Sequence, residues 1–218
     1  MINYWKKIRE IIKRGFEPKN IFLNVFGIFY ILIALLAFYD SVNFLGIQSI
    51  LWLSYFAFLF IGIGILIRSS YLIGSQINII FIPYTIWCID FFYVLFTSKS
   101  LFGITNFIFV SEQILPLVVT LQHLTIIPVA LMAIYLIKFK RKDFWKFSLV
   151  QVAIIFILTL IFSEQSNNIN CVFKNCLPFE VGEYYLLAWV VTYIIMIFLV
   201  NFILIKIKDF SKKSKKFK

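Results

Sequence analysis

Residues 75–96 read SQINIIFIPYTIWCIDFFYVLF and contain one charged side chain, that of Asp90. A run of about 20 apolar residues is what an α-helix needs to cross the hydrocarbon core of a bilayer. Similar runs occupy residues 21–39, 49–67, 115–137, 144–162 and 184–205. The sequence therefore predicts an all-α membrane protein, with a six-transmembrane-helix bundle that forms one domain over residues 20–207.

The overall composition also indicates a lipid environment. Of 218 residues, 62% are hydrophobic and only 14% are charged, too few to cover a water-facing surface. The net charge of +11 comes from lysines and arginines at the ends of the apolar runs and in the two tails. Charges in those places orient a membrane protein, so we expect no nucleic-acid partner. The first run is too long for a cleavable signal peptide and should remain as the first span.

The distribution of basic residues predicts the orientation. With six spans, 19 of the 21 lysines and arginines fall on one side, and only Lys99 and Lys174 fall on the other. The positive-inside rule then places both termini in the cytoplasm and the protein in the cell membrane. The basic tail, residues 208–218, can attract anionic lipid to this cytoplasmic face, or it can be an ordinary stop-transfer flank.

Two segments outside the spans are apolar. Residues 1–19, MINYWKKIREIIKRGFEPK, place apolar side chains at helical spacing among basic ones. This pattern favours an N-terminal interfacial amphipathic helix on the cytoplasmic side, and a solvated basic tail is the alternative. Residues 101–110 are too short to cross and form either an interfacial helix or the start of the fourth span.

Two ionisable residues within the spans form the candidate site. Asp90 lies on the third span, and His123, the single histidine, lies on the fourth. Counted from the outer boundary, both lie about 10–12 Å deep, so we expect the two side chains to meet. Trp87 and Gln122 lie beside them and complete a candidate ligand site. Buried charges in spans are rare and often functional, although an Asp–His pair can also serve only to join two helices.

The connection between the fifth and sixth spans supplies the remaining candidates. Asn168 and Asn170 are expected to fold over the Asp90–His123 site as a lid. Cys171 and Cys176 face an oxidising compartment in this topology, so they form either a small disulfide loop or two free thiols. We expect no metal site, because a single histidine and two cysteines are too few ligands, and no cofactor.

The second half resembles an uncharacterised family of prokaryotic six-span membrane proteins. The resemblance is carried by W-x-x-D-F, H-x-x-x-x-P, a basic turn at 138–142, and N-x-N-x-V, which here are Trp87, Asp90, Phe91, His123, Pro128, Asn168, Asn170 and Val172. It covers about residues 80–190. The family has tryptophan where this chain has Cys171. The resemblance implies that these positions form one site but brings no known activity.

A weaker resemblance links the chain to six-span intramembrane lipid-ester hydrolases with a lone histidine on the fourth span. It implies a threonine or cysteine partner for His123, which here would be Thr85 or Cys88. Three functions remain open. The chain binds or transports a small molecule or ion at an outward-facing Asp/His site, or hydrolyses lipid esters with His123 as general base, or is an accessory subunit.

Overall fold

The computed structural model describes residues 17–110, 114–139, 141–178 and 181–214, and this part of the chain is helical, without a β-strand. The α-helices are α1 (Pro18–Asp40), α2 (Leu53–Leu66), α3 (Ser70–Thr97), α4 (Asn106–Val110), α5 (Ile114–Leu121), α6 (His123–Ile137), α7 (Trp145–Phe162) and α8 (Tyr185–Ser214). A π-helical turn, Ser41–Leu45, extends α1, and 3-10 turns cover Ile47–Leu51, Gln165–Asn167 and Ile169–Cys171.

Four of the described helices are long and apolar enough to cross a membrane. They are Pro18–Leu45, Ser70–Thr97, Trp145–Phe162 and Tyr185–Ile207, and they contain most of the predicted first, third, fifth and sixth spans. Two further apolar helices, α2 and α6, are shorter, with 14 and 15 residues. The all-helical class is confirmed, and the four long helices fit a membrane protein. The predicted N-terminal amphipathic helix falls almost wholly on residues 1–16, outside the described residues, as does the end of the basic tail.

The structure corrects the continuity of two predicted spans. The second begins as the 3-10 turn Ile47–Leu51 and becomes α-helical only after Trp52. The fourth is interrupted at Gln122, which separates α5 from α6. At this break His123 Nδ1 lies 2.6 Å from the carbonyl oxygen of Thr120, the acceptor that residue 124 would use in a continuous helix. A side chain inserted into the backbone ladder is a known cause of such a break.

Helix α3 is the centre of the bundle and packs against α2, α6, α7 and α8. Its first half carries fully buried polar side chains. Gln76 and Gln151 of α7 exchange two amide hydrogen bonds, of 2.8 and 3.1 Å, and Asn78 donates to Ser148 at 3.3 Å. Hydrogen bonds of this kind join helices in lipid, where apolar contact alone provides little driving force. They fix α7 against α3 and leave the second half of α3 to form the candidate site.

Candidate functional site

The carboxylate of Asp90 holds a loop rather than a ligand. It is buried on α3, and its two oxygens accept hydrogen bonds from the backbone N–H of Phe102 at 2.7 Å and that of Thr105 at 2.8 Å. The Thr105 hydroxyl donates a third, also at 2.8 Å. Asp90 lies two turns, about 10 Å, before the end of α3 at Thr97. The loop after α3 therefore folds back along the helix to reach it.

The expected contact between Asp90 and His123 is not found, and that prediction is wrong. Among the described residues no ion pair or hydrogen bond joins the two, because both carboxylate oxygens bond the returning loop. The His123 ring instead packs against Tyr84 and Trp87, with centroid distances of 4.2 and 5.0 Å. Since Trp87 precedes Asp90 by about one helical turn, His123 lies about one turn away from the carboxylate rather than beside it.

The hydrogen bonds of His123 define its chemistry. Nδ1 lies 2.6 Å from the Thr120 carbonyl oxygen, which can only accept, so the proton of the neutral ring is on Nδ1. Nε2 is then an unprotonated acceptor, and no hydrogen bond reaches it from the described residues. The Gln122 side-chain amide also lies 2.8 Å from Nδ1, with its Nε2 toward the ring and its Oε1 buried without a hydrogen-bond partner in the described part of the chain. Because an NH2 group and Nδ1–H are both donors, the amide turned by 180° is the consistent arrangement, in which Oε1 accepts from Nδ1–H. His123 therefore carries one free basic atom within the bundle.

Trp87 connects the two predicted residues by packing. Its ring stacks on Phe91 at 5.4 Å, nearly parallel, and on His123 at 5.0 Å. Trp87, Phe91 and Ile108 of α4 form a small buried cluster of their own. The loop that Asp90 holds thus brings α4 onto the same aromatic stack that holds the histidine ring.

Asn170 holds the long connection between α7 and α8 against α2. Its Oδ1 accepts from the N–H of Leu53 at 2.8 Å, and its Nδ2 donates to the carbonyl of Leu51 at 2.7 Å. These two bonds replace the backbone hydrogen bonds that are lost where the chain changes helix type at Trp52. The Trp189 indole donates to the Asn170 carbonyl at 3.0 Å, which ties the same residue to α8.

Asn168 and the cysteines shape the tip of this connection. Cys171 and Cys176 are joined in a disulfide. Asn168 Oδ1 accepts from the N–H groups of Phe173 and Lys174, each at 3.0 Å, so its side chain organises the turn that the disulfide closes. The Tyr185 hydroxyl donates to the Cys171 carbonyl. The loop is thus fixed to both α2 and α8.

A cavity of about 350 Å³ lies beneath this loop. Its walls are largely apolar, with six aromatic residues among them, and its polar groups are few. Its lining includes Trp52, Tyr84, Trp87, Ile104, His123, Asn170, Cys171, Cys176, Tyr185, Trp189, Thr192 and Tyr193. Of the sequence candidates, His123, Trp87, Asn170 and both cysteines line it, whereas Asp90, Gln122 and Asn168 are not among the lining residues. The structure therefore brings half of the predicted ligand residues to one cavity.

Sequence reasoning missed Tyr84 and Thr105. Tyr84 lines the cavity, and its buried hydroxyl forms no hydrogen bond of standard geometry, although Ser54 lies beside it. Its position one turn before Trp87 was the available signal, since both then share a face of α3. Nothing in the sequence around Thr105 indicates its contact with Asp90, because only the fold shows that this loop returns to α3. Among the described residues no three His, Cys, Asp or Glu side chains come together as a metal site requires.

No family model, curated protein or solved structure matches this chain. The described fold and site define an all-helical protein, with four helices that fit a membrane protein and a largely apolar cavity beneath the loop that the Cys171–Cys176 disulfide closes. Nothing beyond its own geometry identifies a ligand.

The Asp90 contacts predict a specific pattern of coupling. Asp90→Asn should lower the free energy of unfolding by about 2 kcal/mol, because hydrogen bonds to a charged acceptor contribute about 1.5–3 kcal/mol each. Thr105→Val removes the hydroxyl donor but keeps the shape of the side chain. The double variant should lose clearly less than the sum of the single losses, as judged by denaturation in detergent.

The matched control pairs Asp90→Asn with His123→Ala. These two residues share no hydrogen bond and are linked only through the packing of α4 on Trp87, so their coupling should be clearly smaller than that of Asp90 with Thr105. Strong coupling of Asp90 to His123, with none to Thr105, would contradict the contacts described above.

Asn170 gives a second prediction. Asn170→Asp replaces the Nδ2 donor with an oxygen that faces the Leu51 carbonyl, so two acceptors meet in a buried place. We expect a loss of about 1–3 kcal/mol and faster proteolysis of the 163–184 connection. Asn167→Asp is the matched control, because Asn167 is exposed three residues earlier. Equal behaviour of the two variants would show that Asn170 does not hold the loop.

Proposed function

We propose that this chain is a six-span protein of the cell membrane, with both termini in the cytoplasm. The four long helices supply four spans. The 3-10 turn with α2 covers 47–66, and α5 with α6 covers 114–137, so each pair reaches the ~20 residues of a span. The positive-inside rule supports the orientation, since Arg68 and the basic turn at 138–142 follow even-numbered spans. The 163–184 connection then lies outside.

Reporter fusions test this topology. Fusions after Lys142 and at Lys218 should give a cytoplasmic signal, and an insertion after Asn167, in the exposed part of the connection, should give an external one. The physical reason is the asymmetry of lysine and arginine between the two sides. A cytoplasmic signal from the insertion at Asn167 would overturn the span count and the placement of the disulfide.

The function that the geometry supports best is the binding of an amphipathic small molecule in the cavity under the outer loop. The observation that carries this proposal is the cavity itself. Ligand sites typically measure about 300–1,000 Å³, with apolar and aromatic walls and a few polar groups that orient the ligand. Here Nε2 of His123 has no hydrogen-bond donor in the described part of the protein, and the Tyr84 hydroxyl, beside Ser54, makes no hydrogen bond of standard geometry. Asp90 and Asn168 act in this proposal as positioning residues, which hold the loops that form the walls.

Lipid is the partner of the outer surface in this proposal. The basic cytoplasmic side would attract anionic lipid headgroups, and no nucleic-acid partner is invoked. The cavity fits both a binding protein and a transporter, because a transported substrate also needs a binding site. The intramembrane hydrolase is the second candidate. It is favoured by one observation, that Cys88, Thr85 and His123 line a common groove between α3 and α6.

Filling the cavity tests the binding function. The detergent-solubilised protein is heated with a panel of fatty acids, isoprenoid alcohols, quinones and aromatic acids, and the unfolding temperature is measured. At least one class should raise it by several °C, because a ligand that binds only the folded state stabilises it. Ala188→Trp, which places an indole in the cavity, should abolish the shift.

The control for this experiment is Leu187→Trp. Leu187 is the preceding residue of α8, and its side chain is 62% exposed on the outside of the bundle. This variant should keep the shift. A panel without any stabilising compound, or a shift that survives in Ala188→Trp, would contradict binding in this cavity.

A further inference from the structure

A second concave surface lies beside the cavity, between α3 and α6. It is a groove of about 570 Å³ that extends along α3 from Tyr84 to Thr97, with Leu124, Ile127 and Pro128 of α6 on its other side. Its lining is nearly all apolar. Ile89, Phe92 and Phe96 are 50%, 45% and 80% exposed, so this side of the groove is at the perimeter of the bundle. In a membrane-spanning protein that perimeter faces acyl chains.

The dimensions of the groove match one leaflet. Tyr84 and Thr97 are 13 residues apart on a single helix, about 20 Å. Half of the hydrocarbon core measures about 15 Å, so the groove reaches from the headgroup level to about the bilayer midplane. At its outer end Thr97 is exposed, and the exposed Lys99 follows two residues later. The ammonium group of a lysine at this level can bind the phosphate of a lipid headgroup.

The groove and the cavity share a wall. Tyr84 and His123 line both of them, and their rings lie 4.2 Å apart. Elsewhere α3 separates the two, because Pro83, Ile86 and Trp87 line the cavity whereas Thr85, Cys88 and Ile89 line the groove. At Tyr84 and His123 the wall is only two side chains thick. A rotation of the Tyr84 ring at this point would join the lipid-facing groove to the inner cavity.

We propose that the groove binds an acyl chain of an outer-leaflet phospholipid and is the lateral entrance to the cavity. The ligand of the cavity is then a molecule that carries an acyl chain and enters from the bilayer past Tyr84 and His123. This inference rests on the proposed function, because it assigns the class of ligand for the same cavity.

Photolabelling in vesicles tests the proposal. The full chain is reconstituted in phosphatidylcholine vesicles, a minor fraction of which carries a diazirine at the end of one acyl chain. After irradiation the adducts are mapped by mass spectrometry. Adducts on the groove residues Thr85, Cys88, Leu124, Ile127 and Pro128 should exceed several-fold those on Ile154 and Ile157. These two residues of α7 are 52% and 53% exposed and report ordinary contact with surrounding lipid. Adducts should also occur on Tyr193 in the cavity.

Cys88→Trp supplies the blocking variant, because Cys88 lines the groove and not the cavity. It should reduce adducts on the groove and on Tyr193 several-fold. Ile154→Trp, a substitution of similar size on α7, should leave both unchanged. Equal labelling of the groove and of α7, or labelling that Cys88→Trp does not change, would overturn the proposal.

The two proposals fail in different ways. If the compounds of the thermal panel stabilise the protein but no acyl chain labels the groove above the α7 level, lateral entry is wrong and binding in the cavity stands. If the groove is labelled and no compound stabilises the protein, acyl-chain binding in the groove stands, and the proposal that the cavity binds a ligand is wrong. Cys88→Trp must retain the Cys171–Cys176 disulfide and the unfolding temperature. If it does not, Thr85→Trp, on the same groove, replaces it.

Discussion

The three hydrogen bonds that Asp90 accepts from Phe102 and Thr105 are the interaction on which the cavity end of the bundle depends. Lipid cannot satisfy a backbone N–H, so irregular backbone is stable at membrane depth only where protein provides a partner. The Asp90 carboxylate is that partner, and it lets the loop after α3 return about two turns into the bundle. The loop then places Ile104 in the cavity wall and Ile108 against Trp87. Asp90, which the sequence indicates as a ligand candidate because of its charge, thus shapes the cavity without lining it.

The same constraint explains the other interruptions of helical backbone. At Trp52 the Asn170 amide donates to Leu51 and accepts from Leu53, as a stretch of helix would have done. At Gln122 the His123 ring reaches back to the Thr120 carbonyl. Each break costs backbone hydrogen bonds, and each is repaired by a side chain that projects from beside the cavity. The cavity lies beside these two breaks, with Trp52 and His123 in its lining.

The sequence predicted the positions of the helices well and the contacts of the site poorly. Long apolar runs predict four of the helices, because the thickness of a bilayer sets the length of a span. Asp90 and His123 could be identified as candidates because ionisable residues are rare in spans. Their pairing could not be predicted from depth, because counting residues along two spans ignores a loop that returns between them. The breaks at Trp52 and Gln122 are at neither glycine nor proline, so no local signal marked them. Tyr84 is one of 11 tyrosines, and only the fold shows that it lies in the cavity wall against the His123 ring.

The break at Gln122 connects these observations to function. In a continuous helix the N–H of residue 124 would bond the Thr120 carbonyl, and at the break the His123 ring takes that place. Because the helix is interrupted there, the ring binds Thr120 through Nδ1, and its plane is held between Tyr84, Trp87 and Phe58. This fixed tautomer leaves Nε2 as a basic atom in an aromatic surrounding. A neutral acceptor there binds the hydroxyl or protonated carboxyl group of an apolar ligand at less cost than a buried charge would incur.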